Sequence, residues 1–390
     1  MGDLAKLINF LLGTNALPQS LWFGRKHPDM QLFLNEFVTE VNSMVGVKWN
    51  HNGDTHISRP HVLCISVDAP ARAAVQNMVS FNGYFGCTWC LNPGEHREGS
   101  LRYTVVSPIM MRTSDQVKSE MRLASQFKDT INGLKGPSAL MNLKGLDLVN
   151  GYSVEYMHCV LLGVAKQITE TILATSNSHQ RFYSGSPSAL SQIDARLLSI
   201  KPPHCITRLP RSIQERSYWK ASEWRHWLLF YSLPCLSGIL IEEYWRHLSK
   251  LSGGVYILLK DELTAQEIDK AEFLLKKFVS RCEALYGASF MTYNVHALLH
   301  LASCARSLGP LWAHAAFVFE GGNGTILGRG AGRDLNLLAA LWKGLSREPL
   351  QSSCCDVHLQ CCFLERQFVK SLEMIAVTDQ TMQLVVLKHF

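Results

Sequence analysis

Apolar positions recur along this chain mostly at helical spacing, with one early exception. Leu32, Phe33, Phe37, Val38 and Val41 fall on one face of a helix opening near Pro28, so residues 1–47 read as helical until Gly46 and the polar run Asn50–Gly53 close the pattern. His61–Val67 is the exception: a short run rich in β-branched and apolar residues, read as a buried strand that stops at Asp68 with Pro70 close behind. A helical pattern follows over Ala69–Val79 and runs into a glycine-rich turn, Gly83 to Gly94. Beyond a mixed stretch, in which Lys135-Gly136-Pro137-Ser138 predicts a turn before a short helix, Glu155–Lys166 reads as a helix with Met157, Val160, Leu161 and Val164 inward. His158 in it reads as a helix histidine satisfied locally. Residues 176–203, rich in Ser, Pro and His, read as a connector, and residues 240–290 carry two amphipathic helices. The tail from Arg333 onward is helical in pattern, and its Cys354, Cys355, Cys361 and Cys362 suit either a helix carrying small apolar residues or a metal- or oxidant-reactive pair of pairs.

The fold class this predicts is α+β, predominantly α. No stretch before His61 offers the several strands of a complete sheet. The longest apolar run, Trp227–Ile241, is broken by Pro234 and Gly238 and is too short for a bilayer, so a buried helix pair is expected and no membrane partner.

Composition narrows the classes. Hydrophobic residues at 47% and charged residues at 18% allow a large core and argue against disorder. Lys and Arg exceed Asp and Glu by 38 to 32, a mildly basic balance compatible with a polyanion. Twelve cysteines in 390 residues, behind a start without a basic leader, predict reduced thiols, some of them metal-bound, rather than a disulfide scaffold.

The candidate chemistry sits in a few places. Asp68 is a carboxylate at a strand's end, either the N-cap of the helix after it or a ligand for metal or substrate. Nineteen residues on, Cys87-Thr-Trp-Cys90 is half of a zinc site. His296 and His300, four apart in Asn294–His300, put two imidazoles on one helix face where one metal can receive both, without the Glu of a zinc protease. Glu320, between the apolar Ala316–Phe319 and a run of glycines, is a turn residue or a second metal-binding acid. Finally, Arg208–Tyr231 interleaves Arg208, Arg211, Arg216, Lys220 and Arg225 with Tyr218, Trp219, Trp224 and Trp227. Cations neutralise phosphates and aromatics stack, which makes this the candidate DNA surface. Trp224, Trp227, Leu228 and Tyr231 also have the spacing of a core face.

In order, Asp68, Cys87, Cys90, His296, His300 and Glu320 resemble the arrangement in DDE transposases of the CACTA (En/Spm) and Transib group and, more distantly, the V(D)J recombinase. The stretches VDAPARA, FNGYFGCTWCLNPGE, YMHCVLLGV, LPRSIQERSYWKASEWRHWLLFYSLPCL, NVHALLHL and GPLWAHAAFVFEGGNG are similar to animal CACTA-type transposases over residues 20–335. The resemblance implies an incomplete ribonuclease-H-like core with its Cys pair in residues 1–92, a large helical insertion in 93–290, the His pair and last acid in 291–335, and a helical tail in 336–390. It implies DNA as partner, a nuclear location, possible homo-oligomers, Asp68 and Glu320 as Mg2+ ligands, and a structural Zn2+ joining Cys87 and Cys90 to His296 and His300. Such a zinc would fix the distance between the two acids. With four protein ligands it leaves no open position for hydrolysis. Two departures stand out. Glu155 occupies a position where the family more often has Asp, and the first catalytic Asp, on an opening strand, has no counterpart: Asp3, Asp29 and Asp54 do not end a convincing strand. Strand transfer is therefore expected to fail or be very weak in a transposase-derived protein, with an active transposase catalytic region and a zinc-stapled DNA- or protein-binding module as the alternatives.

Overall fold

The computed structural model describes residues 29–44, 46–51, 54–58, 60–204, 206–317 and 382–387. Helix α1 (Met30–Ser43) starts at Asp29, whose carboxylate accepts from the amides of Gln31 and Leu32, satisfying donors with no partner inside the helix. Its inner face is Met30, Leu34, Val38 and Val41. Phe33 and Phe37 pack at the margin, and Leu32, expected inside, is 73% exposed. The stripe is rotated because a 3.6-residue repeat set by Leu34, Val38 and Val41 excludes position 32.

The segment after α1, expected only to end the helix, forms an antiparallel hairpin of β1 (Val47–His51) and β2 (Asp54–Ser58), with Val47 opposite Ser58 and His51 opposite Asp54. Two residues, Asn-Gly, separate the strands in the sequence, the strongest short-range hairpin signal. Strand β3 (Pro60–Ser66) is the predicted early strand. Asp68 caps α2 (Ala69–Val75), which stops four residues short of the expected end, where Asn77 takes a positive φ of 52°. A small hairpin, β4 (Glu95–Arg97) and β5 (Ser100–Arg102), follows the glycine-rich turn.

From α3 (Ser114–Phe127) onward the described chain is helical up to residue 317. A short 3-10 turn, Ala139–Asn142, follows the predicted Lys135–Ser138 turn with Ser138 as its cap. The Glu155–Lys166 segment buries Met157, Val160, Leu161 and Val164 as expected, but as a π-helix, Met157–Ala165, that continues into α4 (Lys166–Leu173). Part of the expected 176–203 connector is helix α5 (Pro187–Ser199), capped by Ser186 with proline in its first turn and held by Ile193 and Leu197. After a 3-10 stretch, Ile213–Tyr218, come α6 (Ala221–His226), a π-helical Trp227–Tyr231 and α7 (Ser232–Leu236). The two amphipathic helices are α8 (Glu242–Leu258) and α9 (Ala265–Tyr286), the second opened by a capping box of Thr264 and Glu267. Next are α10 (Tyr293–Ala297) and α11 (Leu301–Leu308), joined by a 3-10 turn over Leu298–His300.

Strand β6 (Met382–Leu387) corrects the expectation of a wholly helical tail: it pairs in parallel with β3, Pro60 opposite Met382 and Ser66 opposite Leu387. Its sequence MQLVVL, with a Val-Val-Leu run, suits a strand better than a helix. On its other side β3 makes a parallel bridge to Tyr152, with Ile65 N donating to Gly151 O and Ser153 N to Ile65 O. The molecule is thus mainly α, with small two-stranded sheets. Among the described residues no helix is long and apolar enough to cross a membrane.

Three buried histidines make the fold acid-sensitive. Burial pushes His226, His247 and His314 each down to about 4, so all three are neutral in the folded protein at pH 7. His247 is wedged between Tyr286 Oη (3.1 Å) and the Phe278 carbonyl (2.8 Å). A base whose folded-state pKa lies below its unfolded value takes up its proton on unfolding. The stability it contributes is complete above pH 6.5 and is lost as pH falls towards 4, by up to about 3 kcal/mol per group. Urea unfolding is therefore expected to show a midpoint falling steadily from pH 7 to pH 5, and His247→Gln is expected to flatten that slope by about one proton.

Candidate metal centre

Two peptide segments far apart in the chain build the centre. The first is the Gly83–Gly94 turn. Gly86 has no room for a side chain, since a Cβ would meet Ser80 O at 2.5 Å and Tyr103 Oη at 2.7 Å. The second is the α10–α11 junction, where the change from α to 3-10 winding brings both imidazoles inward. Cys87 and Cys90 are fully buried, and His296 and His300 are each 1% exposed.

The four ligand atoms lie within 4.8 Å of one another. Cys87 Sγ is 3.4 Å from His300 Nε2, Cys90 Sγ is 3.3 Å from His296 Nε2, and the two Nε2 atoms are 3.4 Å apart. A tetrahedron with zinc–sulfur bonds of about 2.3 Å and zinc–nitrogen bonds of about 2.05 Å has S···N edges of about 3.5 Å and N···N edges of about 3.3 Å. The donor set and its edges fit a tetrahedral metal such as zinc. With no metal, burial pushes the Cys87 thiol up, but the bond from Cys90 and the charges of His300 and His296 outweigh it and hold Cys87 well below the usual thiol range. Donating to Cys87, and then burial, raise Cys90. One thiolate is thus already favoured at the ligand position.

Around the four ligands stands a shell that the sequence reading missed. Arg112 is the most connected member. Its Nε donates to the carbonyls of Cys87 (3.0 Å) and Cys90 (3.2 Å), and its Nη2 to those of Phe85 (3.0 Å) and Asn132 (2.7 Å). Its Nη1 lies 3.5 Å from Glu120. Phe85 and Asn132 both have positive φ, 57° and 46°, a conformation Asn takes readily but a bulky residue such as Phe85 rarely adopts. Gly133 packs so closely that a Cβ there would meet Phe85 O at 2.4 Å. Tyr103 stacks on His296 with ring centroids 5.3 Å apart and donates to Gly83 O, while Trp89 lies 5.4 Å from the His300 ring.

Arg72 links this centre to the end of β3. Its Nη2 donates to Tyr293 Oη (2.8 Å), its Nε to Thr88 Oγ1 (3.2 Å), and its guanidinium lies 4.7 Å from the centre of the Trp89 ring. Four residues before it, half-buried Asp68 accepts from Ala71 N at 2.9 Å, so of the two roles open to it the structure shows the helix cap. The Asp68–Arg72 spacing of one helical turn is the only sequence signal for this link. Glu320, and Cys354, Cys355, Cys361 and Cys362, lie outside the described residues. The segment leading towards Glu320 is fastened beside β3: Ser66 Oγ donates to His314 O (2.5 Å) and Ala316 N to Glu155 Oε1 (2.8 Å). Glu155 is buried, which would raise it, but the bonds from His158 and the amides of Ala316 and His158 prevail and keep it below the usual carboxylate range. His158 Nδ1 sits 2.6 Å from Glu155, the locally satisfied histidine expected.

The five candidate DNA-binding cations divide. Arg211 is paired with Glu223 (2.6 and 3.1 Å) and Arg216 with Glu170 (3.1 and 3.0 Å). Arg225 lies over the Phe317 ring at 5.7 Å. Arg208 and Lys220 are exposed. Trp219, Trp224 and Trp227 are all buried, on the core side of the alternatives.

No protein-family model matches this chain, and no curated protein matches it either.

Purified protein is expected to carry about one equivalent of zinc by elemental analysis, and Cys87→Ser to lose it. Metal removal is expected to lower Tm by about 10 °C or more. Arg112→Met leaves all four ligands in place and is expected to weaken metal binding about 10- to 100-fold in chelator competition, because the turn is no longer gripped from behind.

Proposed function

We propose that the chain is a transposase-derived, nucleic-acid-binding protein whose ribonuclease-H-like remnant is stapled by a structural zinc and which does not perform strand transfer. The observation that carries this reading is the convergence of Cys87, Cys90, His296 and His300, the four residues the resemblance assigns to zinc, although 206 and 213 residues separate the paired ligands. Parallel pairing on both sides of β3, to β6 and to Tyr152, is in keeping with the ribonuclease-H-like expectation.

When bound, zinc would supply cross-linking and no hydrolysis, since all four positions are taken by protein. Catalysis of phosphodiester cutting and joining needs two divalent ions such as Mg2+ held by several carboxylates. Among the described residues the Cys2His2 set is the only group of three or more potential ligands, and Asp68 spends one oxygen on the cap of α2. The partner is DNA and the place of action the nucleus. Arg208 and Lys220 supply the phosphate contacts, while Arg211 and Arg216 hold the surface together.

One observation favours an active transposase core as the second reading. Bonds from Ser66 and Glu155 to residues 314 and 316 bring the segment before Glu320 beside the strand that ends next to Asp68.

Incubation with branched or terminal-repeat DNA and Mg2+ or Mn2+ separates the two. Salt-dependent binding without cleavage is expected, and cleavage that disappears in Glu320→Gln establishes the second reading instead. Arg208→Ala and Lys220→Ala are each expected to reduce the slope of log affinity against log salt by about 1 without loss of stability. Arg211→Ala is expected to lower Tm, because Glu223, 8% exposed at the side chain, then keeps only Lys220 N and the more distant Arg208.

A further inference from the structure

Of the six Phe, Trp and Tyr side chains in Arg208–Tyr231, Trp219, Trp224, Trp227 and Tyr231 are buried and Phe230 is 46% exposed. Trp219 meets Trp224 edge to face at 5.0 Å and Trp227 at 5.7 Å, and Trp227 Nε1 donates to Thr169 Oγ1 at 2.9 Å. Tyr218, the sixth, is 74% exposed, the largest value among the exposed large hydrophobic side chains described. A ring left in water usually belongs to a mobile loop, yet the backbone carrying this one is tied down on every side.

Three carboxylates do the tying. Asp194 accepts from Ile213 N (2.6 Å), Ser212 Oγ (2.7 Å) and Gln214 Nε2 (3.1 Å). Glu170 takes the Arg216 guanidinium at two points, and that guanidinium also donates to Ile213 O (3.1 Å). Glu223 takes Arg211 Nε and Lys220 N (2.8 Å), while Arg211 Nη2 donates to the Tyr218 carbonyl itself (3.0 Å). Ile213 anchors the stretch from below, fully buried. The ring is therefore presented from a rigid support, which lowers the entropy cost of using it in binding.

Its charged neighbours indicate the partner. Once Arg211 and Arg216 are paired internally, the cations left facing solvent around Glu223 are Lys220, two residues from Tyr218, and Arg208, 56% exposed at the side chain with Nη1 4.0 Å from Glu223. An exposed ring on the same rigid stretch as two solvent-facing cations, Arg208 meeting Glu223 through Nη1 and Lys220 through its backbone N, matches a base with its flanking phosphates. In a duplex both faces of a base are already stacked, so a single protruding ring can pair only with an unstacked base.

We propose that Tyr218 is the base-stacking residue of a single-strand-binding surface, with Arg208 and Lys220 on the flanking phosphates. This deepens the nucleic-acid reading above and rests on it. Anisotropy titration of a labelled oligothymidylate of about twenty nucleotides, and of a duplex of equal length, tests it on the full chain. Tyr218→Ala is expected to weaken single-strand binding about 5- to 100-fold, with duplex binding, salt slope and Tm unchanged, and Tyr218→Trp to restore it. Single-strand binding by Tyr218→Ala equal to that of the parent, or equal losses on both DNAs, overturns the stacking role and leaves the nucleic-acid reading standing. Failure of the parent to bind either DNA overturns both.

Discussion

One continuous hydrophobic core joins the early and late parts of the chain, and four side chains meeting inside it concentrate that connection at a single point. Cys87 and Cys90 lie on a turn in which Phe85 takes a positive φ of 57°. His296 and His300 lie on a helix more than two hundred residues later. Cross-linking a loop of that length removes about 5 kcal/mol of conformational entropy from the unfolded chain, comparable with the whole net stability of many domains. Two buried guanidiniums spread the effect outward. Arg112 grips the backbone behind both thiols and the two positive-φ residues beside them, and Arg72 ties Thr88, Trp89 and Tyr293 to the helix capped by Asp68. The metal set, the glycine turn and the end of β3 therefore form one mechanical unit.

How much of this was legible in the residues depended on range. Signals confined to a turn or two read correctly: β3 from its β-branched run, α8 and α9 from their stripes; for Asp68 the residues left cap and ligand both open, and the structure shows the cap. The metal ligands were legible because thiol and imidazole pairs have characteristic spacings and few other uses. Signals fixed by distant partners did not show. Nothing near Arg112 announces that its guanidinium will serve four carbonyls, and it lies beyond the boundary drawn at residue 92 although it completes the turn before it. The π-helical Met157–Ala165 has the same buried residues as an α-helix would. The β1–β2 hairpin and α5 were missed for another reason: the Asn-Gly and Ser-Pro signals were read as places where structure stops, when each also marks where an element turns or begins.

The basic segment shows why charge counts mislead about binding surfaces. Five cations in eighteen residues look like a phosphate track. Pairing reverses that impression for Arg211 and Arg216, which spend their charge on Glu223 and Glu170 to shape the backbone. The outward charge is modest: Arg208 and Lys220 remain exposed. The same logic applies to the tryptophans, whose stacking partners are one another.

The order of the ligands along the chain also matters while the protein is being made. Synthesis at about 5–20 residues per second puts roughly 10–40 s between the appearance of the cysteine turn and that of its histidines. During that interval a nascent polypeptide carries the Cys87 and Cys90 thiols without the two imidazoles that complete their set, and β3, already able to pair with Tyr152, gains its second neighbour only with Met382–Leu387. The cysteine turn can therefore complete its ligand set only once His296 and His300 have been made.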